Sequence, residues 1–167
     1  MSANTPEDTL VIIKPDSFWR NLSREVESRI RALGLTGVAE CALDEGENLS
    51  VARWKEFYFP AIGDRPACIE GTARYMAYGP VKVIYLKGID AIQTIRGVVG
   101  ATRPWQADKG TIRGDFWPGA EEANAPFRLK FQQPGDDKFL FNMIHASDSK
   151  QSFAREAGFF DKLKALT

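Results

Sequence analysis

The sequence predicts an α/β sandwich of the α+β kind, an antiparallel four-stranded sheet covered by helices. Three observations point there. Two β-branched apolar runs, Thr9–Ile13 and Val81–Leu86, have the length and composition of strands. Between and after them, apolar residues recur at helical spacing. The order strand, helix, strand, helices, strand, helix, strand does not alternate strictly, as a parallel doubly wound sheet would require. No GxGxxG follows the first strand and no GxxxxGK[ST] occurs anywhere, so the doubly wound alternative lacks its phosphate-binding signature. The ferredoxin-like arrangement fits best.

The elements follow in order. Thr9–Ile13 stops at Lys14-Pro15-Asp16, because proline has no amide to donate to the ladder; Lys14 is left at the strand end. Leu22, Val26, Ile30 and Leu33 form one helical stripe. Glu25–Arg29 and Glu27–Arg31 pair on its wet face, and Gly34 supplies the left-handed stop. Residues 36–43 read as a weaker strand. Ser50 caps a short helix carrying Val51, Trp54 and Phe57, and a second helical stretch runs from about 67 to 78. After the strand at 81–86, Ile89, Ile92, Ile95 and Val99 mark a helix ended by Gly100. Residues 101–126 read as loop. Alternation in Phe127–Phe131, the Pro134-Gly135-Asp136-Asp137 turn and the run Lys138–Ile144 predict a hairpin across 127–144. Asp148 and Gln151 suggest a capping-box start to a last helix that turns Phe153, Ala157 and Phe160 inward.

Composition narrows the function. Of 167 residues, 22 are Lys or Arg and 22 Asp or Glu, a formal charge of zero. That disfavours a protein coating nucleic acid, whose affinity needs a basic surplus, but leaves small anions open. No apolar run reaches the roughly 18 residues of a membrane span, and no charged-then-apolar leader opens the chain. With two cysteines, Cys41 and Cys68, at no metal-ligand spacing, the expectation is a cytoplasmic protein with buried thiols. No repeat divides the chain, so residues 1–167 read as one domain.

Two constellations could carry chemistry. The single histidine, His145, lies in Asn142-Met143-Ile144-His145-Ala146-Ser147-Asp148-Ser149, with Glu156 two helical turns on. A neutral imidazole is a competent nucleophile whose tautomer neighbouring acceptors can fix. The second is cationic: Lys14, Arg96 before Gly100-Ala101-Thr102, and Arg113 within Gly110-Thr111-Ile112-Arg113-Gly114-Asp115-Phe116. Arginine among small residues can present its planar fork to a phosphate; only convergence in space distinguishes this from solvated surface charge.

These segments, together with Thr9–Asp16 and Gly79-Pro80-Val81, resemble the nucleoside diphosphate kinase family, in that family's order and over positions 9 to 160. The resemblance implies ping-pong transfer of a γ-phosphate through a phosphohistidine at His145. By similarity, Lys14 and Tyr58 hold the transferring phosphate, and Arg96, Thr102 and Arg113 hold the β- and γ-phosphates. Asn142 contacts the ribose 3′-hydroxyl, Ser147 and Glu156 orient the imidazole, and Mg²⁺ bridges phosphate oxygens. The expected partners are nucleoside di- and triphosphates and further copies of the chain, as hexamer, tetramer or dimer; neither nucleic acid nor membrane is expected. The alternative is a weak or inactive family member serving as a nucleotide-binding or interaction module.

Two departures stand out. Ala67 and Cys68 follow Arg65-Pro66 where the family has phenylalanines, one of which stacks on the base; one extra residue also separates Tyr58 from Arg65. Phe59 and Ile69 are candidate substitutes. The segment between Phe116 and Asn142 is longer than the family's, an insertion at about 117–140. Trp117, Phe127 or Phe131 is expected to rebuild the base site there, unless the hairpin extends the sheet or an interface.

Overall fold

A computed structural model describes residues 5–44, 49–117 and 141–164. β1 (Glu7–Ile13) leads through a short helix α1 (Pro15–Trp19) into α2 (Ser23–Arg31) and β2 (Thr36–Leu43). The hairpin of α3 (Val51–Ile62) and α4 (Pro66–Ala77) precedes β3 (Val81–Gly88) and α5 (Ala91–Val99). A 3₁₀ turn (Pro104–Gln106), α6 (Ile112–Asp115), β4 (Ile144–Ala146) and α7 (Lys150–Lys164) follow. The strands form one sheet in the order β2-β3-β1-β4, every neighbouring pair antiparallel, which is the ferredoxin-like arrangement the sequence predicts.

Both faces of the sheet are covered. Leu10 and Ile12 of β1 pack with Trp54, Phe57, Tyr58, Tyr75, Met76 and Phe160 under α3, α4 and α7. Val11 and Ile13 pack with Val26, Ile30, Ile95 and Val99 under α2 and α5. A strand with helices on both sides must be apolar at every position, so β1 reads as an unbroken run rather than an alternation. Pairing of Ile12 with His145 puts the imidazole on the α3–α7 face, while Ile144 and Ala146 point into the opposite core.

Several boundaries differ from expectation. Lys14-Pro15-Asp16 starts a helix as well as ending a strand, since proline at the first helical position loses no bond. The loop over 101–126 contains the 3₁₀ turn and α6, whose N-cap Thr111 accepts from the Gly114 amide. The last helix is capped by Ser149, not Asp148: the Ser149 and Ser152 hydroxyls each accept from the other's backbone amide, a reciprocal box one residue later. The final strand is Ile144–Ala146, so His145 sits mid-strand and Phe141–Met143 lies outside it. Cys68 is buried, but Cys41 on the edge strand β2 is only partly so. Most of the expected hairpin, including Phe127 and Phe131, lies outside the described residues.

Candidate active site

The ends of β1 and β4, the α3–α4 hairpin, α5, α6 and α7 converge on a cleft of about 240 Å³. Its lining includes Lys14, Tyr58, Arg96, Thr102, Arg113, Asn142, His145 and Glu156, all expected from the sequence to handle phosphate, sugar or imidazole; Ser147 is buried behind one carboxylate oxygen of Glu156. The cations separated by up to a hundred positions in sequence therefore do meet. Cys68 and Thr72 of α4, Arg65 at its N-cap, Asp148 and Arg155 complete the polar part of the wall.

His145 presents Nε2 to Glu156 Oε1 at 3.0 Å. The approach is close but not aligned for a hydrogen bond, so buried Nε2 has no aligned partner in this arrangement; catalytic bonds often tighten only once substrate is bound. Glu156 is 3% exposed, and its other oxygen accepts from the Ser147 hydroxyl at 2.6 Å. Ser147 is anchored in turn through its amide to the Leu10 carbonyl of β1 at 3.0 Å. The chain Leu10–Ser147–Glu156–His145 thus runs from a core strand to the imidazole. Rings of Phe57 and Tyr58 meet the imidazole edge-on, with centroids 5.5 and 6.0 Å away. With Nε2 turned to the carboxylate, Nδ1 is the nitrogen left to react.

The cationic side is built from buried groups. Lys14 Nζ donates to Asn142 Oδ1 at 2.8 Å, and the Asn142 amide donates to the Thr102 carbonyl at 3.0 Å. Lys14 is 6% exposed; burial, aided by the neighbouring Arg113 charge, pulls its ammonium down to about 7. Arg113 donates to the carbonyls of Asn142, Gly100 and Ile144 at 3.1, 3.1 and 2.6 Å, lacing α5, α6 and β4 together. Burial and then Arg96 hold its guanidinium down to about 10, so Arg113 remains charged near neutrality. Burial, with Glu156 nearby, raises the Tyr58 phenol far above its ordinary range; its buried hydroxyl has no hydrogen-bond partner among the described residues.

Two features of the site escape a sequence reading. Met143 adopts φ +67°, with the Ile144 amide bonded back to the Asn142 carbonyl at 2.7 Å, a strained three-residue turn immediately before His145. Asp16 and Ser17 hold that turn. The Asp16 carboxylate accepts the Met143 amide at 3.0 Å and the Tyr75 hydroxyl, and the Ser17 hydroxyl donates to the Met143 carbonyl at 2.8 Å. The second feature is Arg155, whose guanidinium nitrogen lies 3.7 Å from Glu156 Oε1. No spacing rule singles out a residue adjacent to the one it serves; Asp16 could have been read from the Pro-Asp helix start.

Of the expected substitutes for the base platform, Phe59, Ile69 and Trp117 do not line the cleft, while Phe127 and Phe131 lie outside the described residues. Phe59 is 65% exposed and Ile69 belongs to the core; Trp117 packs on Trp105 at 5.6 Å. Among the described residues Tyr58 is the sole ring in the lining besides the imidazole. No three metal-ligating side chains come together among the described residues, and no helix there is long and apolar enough to cross a membrane.

Comparison with known proteins agrees with this geometry. The family model for nucleoside diphosphate kinase matches residues 7–165. The chain is 35% identical to a nucleoside diphosphate kinase of Wolbachia sp. subsp. Brugia malayi, over 92% of this chain and 93% of that one. It is 36% identical to one from Pyrococcus horikoshii, over 96% and 88%. Among solved structures, a transition-state mimic of the Borrelia burgdorferi nucleoside-diphosphate kinase with vanadate and ADP superimposes with TM-score 0.74 at 29% identity, covering 93% of this chain and 86% of that chain. An NDP kinase from Pyrobaculum aerophilum gives 0.73 at 28%, over 93% and 96%. With a match along nearly its whole length and a cationic cleft built around one histidine, the chain belongs to the nucleoside diphosphate kinase family.

Proposed function

We propose that this chain, working as a single domain over residues 1–167, transfers the γ-phosphate of a nucleoside triphosphate to a nucleoside diphosphate through a phosphohistidine at His145. The observation that carries the reading is the orientation of the imidazole: Nε2 faces Glu156 at 3.0 Å, leaving Nδ1 for the cleft that the cations line. In the first step the Nδ1 lone pair attacks the γ-phosphorus. The bond to the bridging oxygen breaks, and the diphosphate leaves with that electron pair. The Nε2 proton stays put, its developing charge balanced by Glu156. In the second step a β-phosphate oxygen of a different diphosphate attacks the phosphohistidine, and Nδ1 recovers its pair.

Phosphoryl transfer asks the protein for position and positive charge around a loose transition state. Lys14, Arg96 and Arg113 supply the charge, and Thr102 and the unpartnered Tyr58 hydroxyl supply neutral donors. Asn142, already fixed by Lys14, would meet the sugar hydroxyl. The wall is richer in cations than in carboxylates, so Mg²⁺ would be held by the phosphate oxygens rather than by a protein cage. There it would supply positive charge beside the leaving diphosphate. Assembly into a homo-oligomer, as hexamer, tetramer or dimer, and a cytoplasmic location belong to the same reading. The edge strand β2, exposed along most of its length, is consistent with self-association.

The test is to incubate the protein with ATP and Mg²⁺ alone and weigh it intact. An acid-labile phosphate that GDP removes, and that never forms in His145→Ala, is the expected result. Nucleotide binding without phosphate would leave only the binding-module alternative.

A further inference from the structure

Glu156 faces two nitrogen groups, not one. Its Oε1 lies 3.0 Å from His145 Nε2 and 3.7 Å from Arg155, while Oε2 is occupied by Ser147. A buried carboxylate facing only an imidazole stabilises the imidazolium, in which Nδ1 carries a proton and cannot attack. A guanidinium on the same oxygen opposes that effect, because it compensates the carboxylate charge and repels a second cation beside it. We propose that Arg155 is a positioning residue for phosphoryl transfer: it holds Glu156 ionised and in place while keeping His145 neutral. The inference rests on His145 being the phosphoryl acceptor.

The surroundings suit that role. Arg155 is on α7, the helix that carries Glu156, with its side chain 41% exposed. It lines the cleft and also a neighbouring cavity bounded by Glu56, Phe57 and Phe159 on the far side of Glu156. Its side chain is thus partly in solvent while its guanidinium reaches the buried carboxylate beside the imidazole. The other charged or titratable groups of the cleft are Lys14 at the end of β1, Tyr58 of α3, Arg65 and Cys68 at the start of α4, Arg96 of α5, Arg113 of α6 and Asp148 before α7, with Glu56 of α3 in the neighbouring cavity. Replacing Arg155 changes none of them directly.

Because the chain has a single histidine, the imidazole can be watched alone. NMR titration of the His145 ring should be compared in the full-length protein, Arg155→Met and Arg155→Lys. The Met variant is expected to raise the imidazole midpoint by about half a unit to one unit, and the Lys variant to restore most of it. In single-turnover phosphorylation by ATP, the Met variant should be slow at low pH, by at most the roughly three- to tenfold that such a rise allows, and near normal at pH 8.5, with nucleotide affinity retained. Lys14 titrates in this window in all three proteins, so the comparison rests on differences between them. An unmoved midpoint in Arg155→Met overturns the proposal. So does a loss seen as weaker nucleotide binding at every pH, which would make Arg155 a phosphate ligand instead. The NMR midpoint is read without any phosphoryl transfer, so it stands apart from failure of His145 to become phosphorylated.

Discussion

Lys14 and Asn142, 128 positions apart in sequence, are joined by a 2.8 Å hydrogen bond between the end of β1 and the segment entering β4. The bond fixes both residues at the floor of the cleft. It also leaves the ammonium buried beside Arg113, and burial first, Arg113 second, brings its proton affinity down to about 7.

A sign follows for pH. Above about pH 7 the folded protein releases the Lys14 proton while the unfolded chain keeps it up to its ordinary 10.5. The unfolded state then binds more protons, so this group makes stability rise with pH across that window; its cost is fully present below it. Urea unfolding at pH 6.5 and pH 9 should show Lys14→Met losing its relative advantage as pH rises. Anionic phosphates favour the charged form, so ADP binding at pH 8 should take up protons, measurable by calorimetry in buffers of different ionisation enthalpy. Uptake that persists unchanged in Lys14→Met would contradict the assignment.

The strained turn at Met143 depends on Asp16. Because that carboxylate is fully buried and bonds both the Met143 amide and Tyr75, Asp16→Ala should cost roughly 2–3 kcal/mol in chemical denaturation. It should also lower kcat more than nucleotide affinity, because the turn sets the His145 position rather than the phosphate contacts. Ser17→Ala, which removes one neutral bond, should cost about 1 kcal/mol.

Glu156→Gln should slow phosphorylation of His145 by on the order of 10² or more, since a neutral amide cannot balance the imidazolium-like charge of the phosphorylated ring. Ser147→Ala should cost less, about tenfold, because Glu156 keeps its cationic neighbours. Rapid-quench measurement with ATP separates the two; equal losses would mean that Ser147 acts on more than the carboxylate.

Ala67 is exposed in the first turn of α4, next to the cleft residues Arg65 and Cys68. Ala67→Phe should therefore add a base platform without disturbing the core. Stacking worth roughly 1–3 kcal/mol corresponds to about a five- to 150-fold lower nucleotide dissociation constant. Isothermal titration with ADP measures it, and an unchanged constant would mean that the base lies elsewhere.

Gly114 has no room for a side chain: a Cβ there would sit 2.1 Å from the Asp108 carbonyl oxygen. Gly114→Ala must shift α6, and with it the Arg113 clamp on Gly100, Asn142 and Ile144. A drop of several degrees in Tm together with a loss of kcat is expected in a thermal melt and a coupled assay. Full activity in a normally folded variant would show that the clamp tolerates displacement.

Much of this was legible beforehand. β1, β3 and the amphipathic helices announce themselves because hydrophobic periodicity is local information. His145, Glu156 and the cations were nameable because reactive side chains are few and clustered around distinctive glycines. What stayed hidden depends on contacts between distant segments. Proline after Lys14 signals a stop and a start equally well, and only packing against Tyr75 and Met143 favours α1. Cys41 has the character of a core thiol, yet β2 is an edge strand exposed along most of its length, which leaves the thiol partly open. The alignment of Arg155 with the same carboxylate oxygen as His145 is a matter of ångströms, which residue spacing does not encode.

The brevity of β4 has a temporal consequence. Three residues make its registered pairing with β1, flanked only by the Lys14–Met143 and Ser147–Leu10 backbone bonds, and they lie more than 130 positions further along the chain. Closing so long a loop is slow relative to forming the helices and the β2–β3 ladder. A shift of one position in that pairing would turn His145 into the opposite core. His145 is thus expected to reach its place late in folding, and recovery of enzymatic activity after dilution from denaturant should lag behind recovery of helical circular dichroism, timing the moment the fourth strand finds its place.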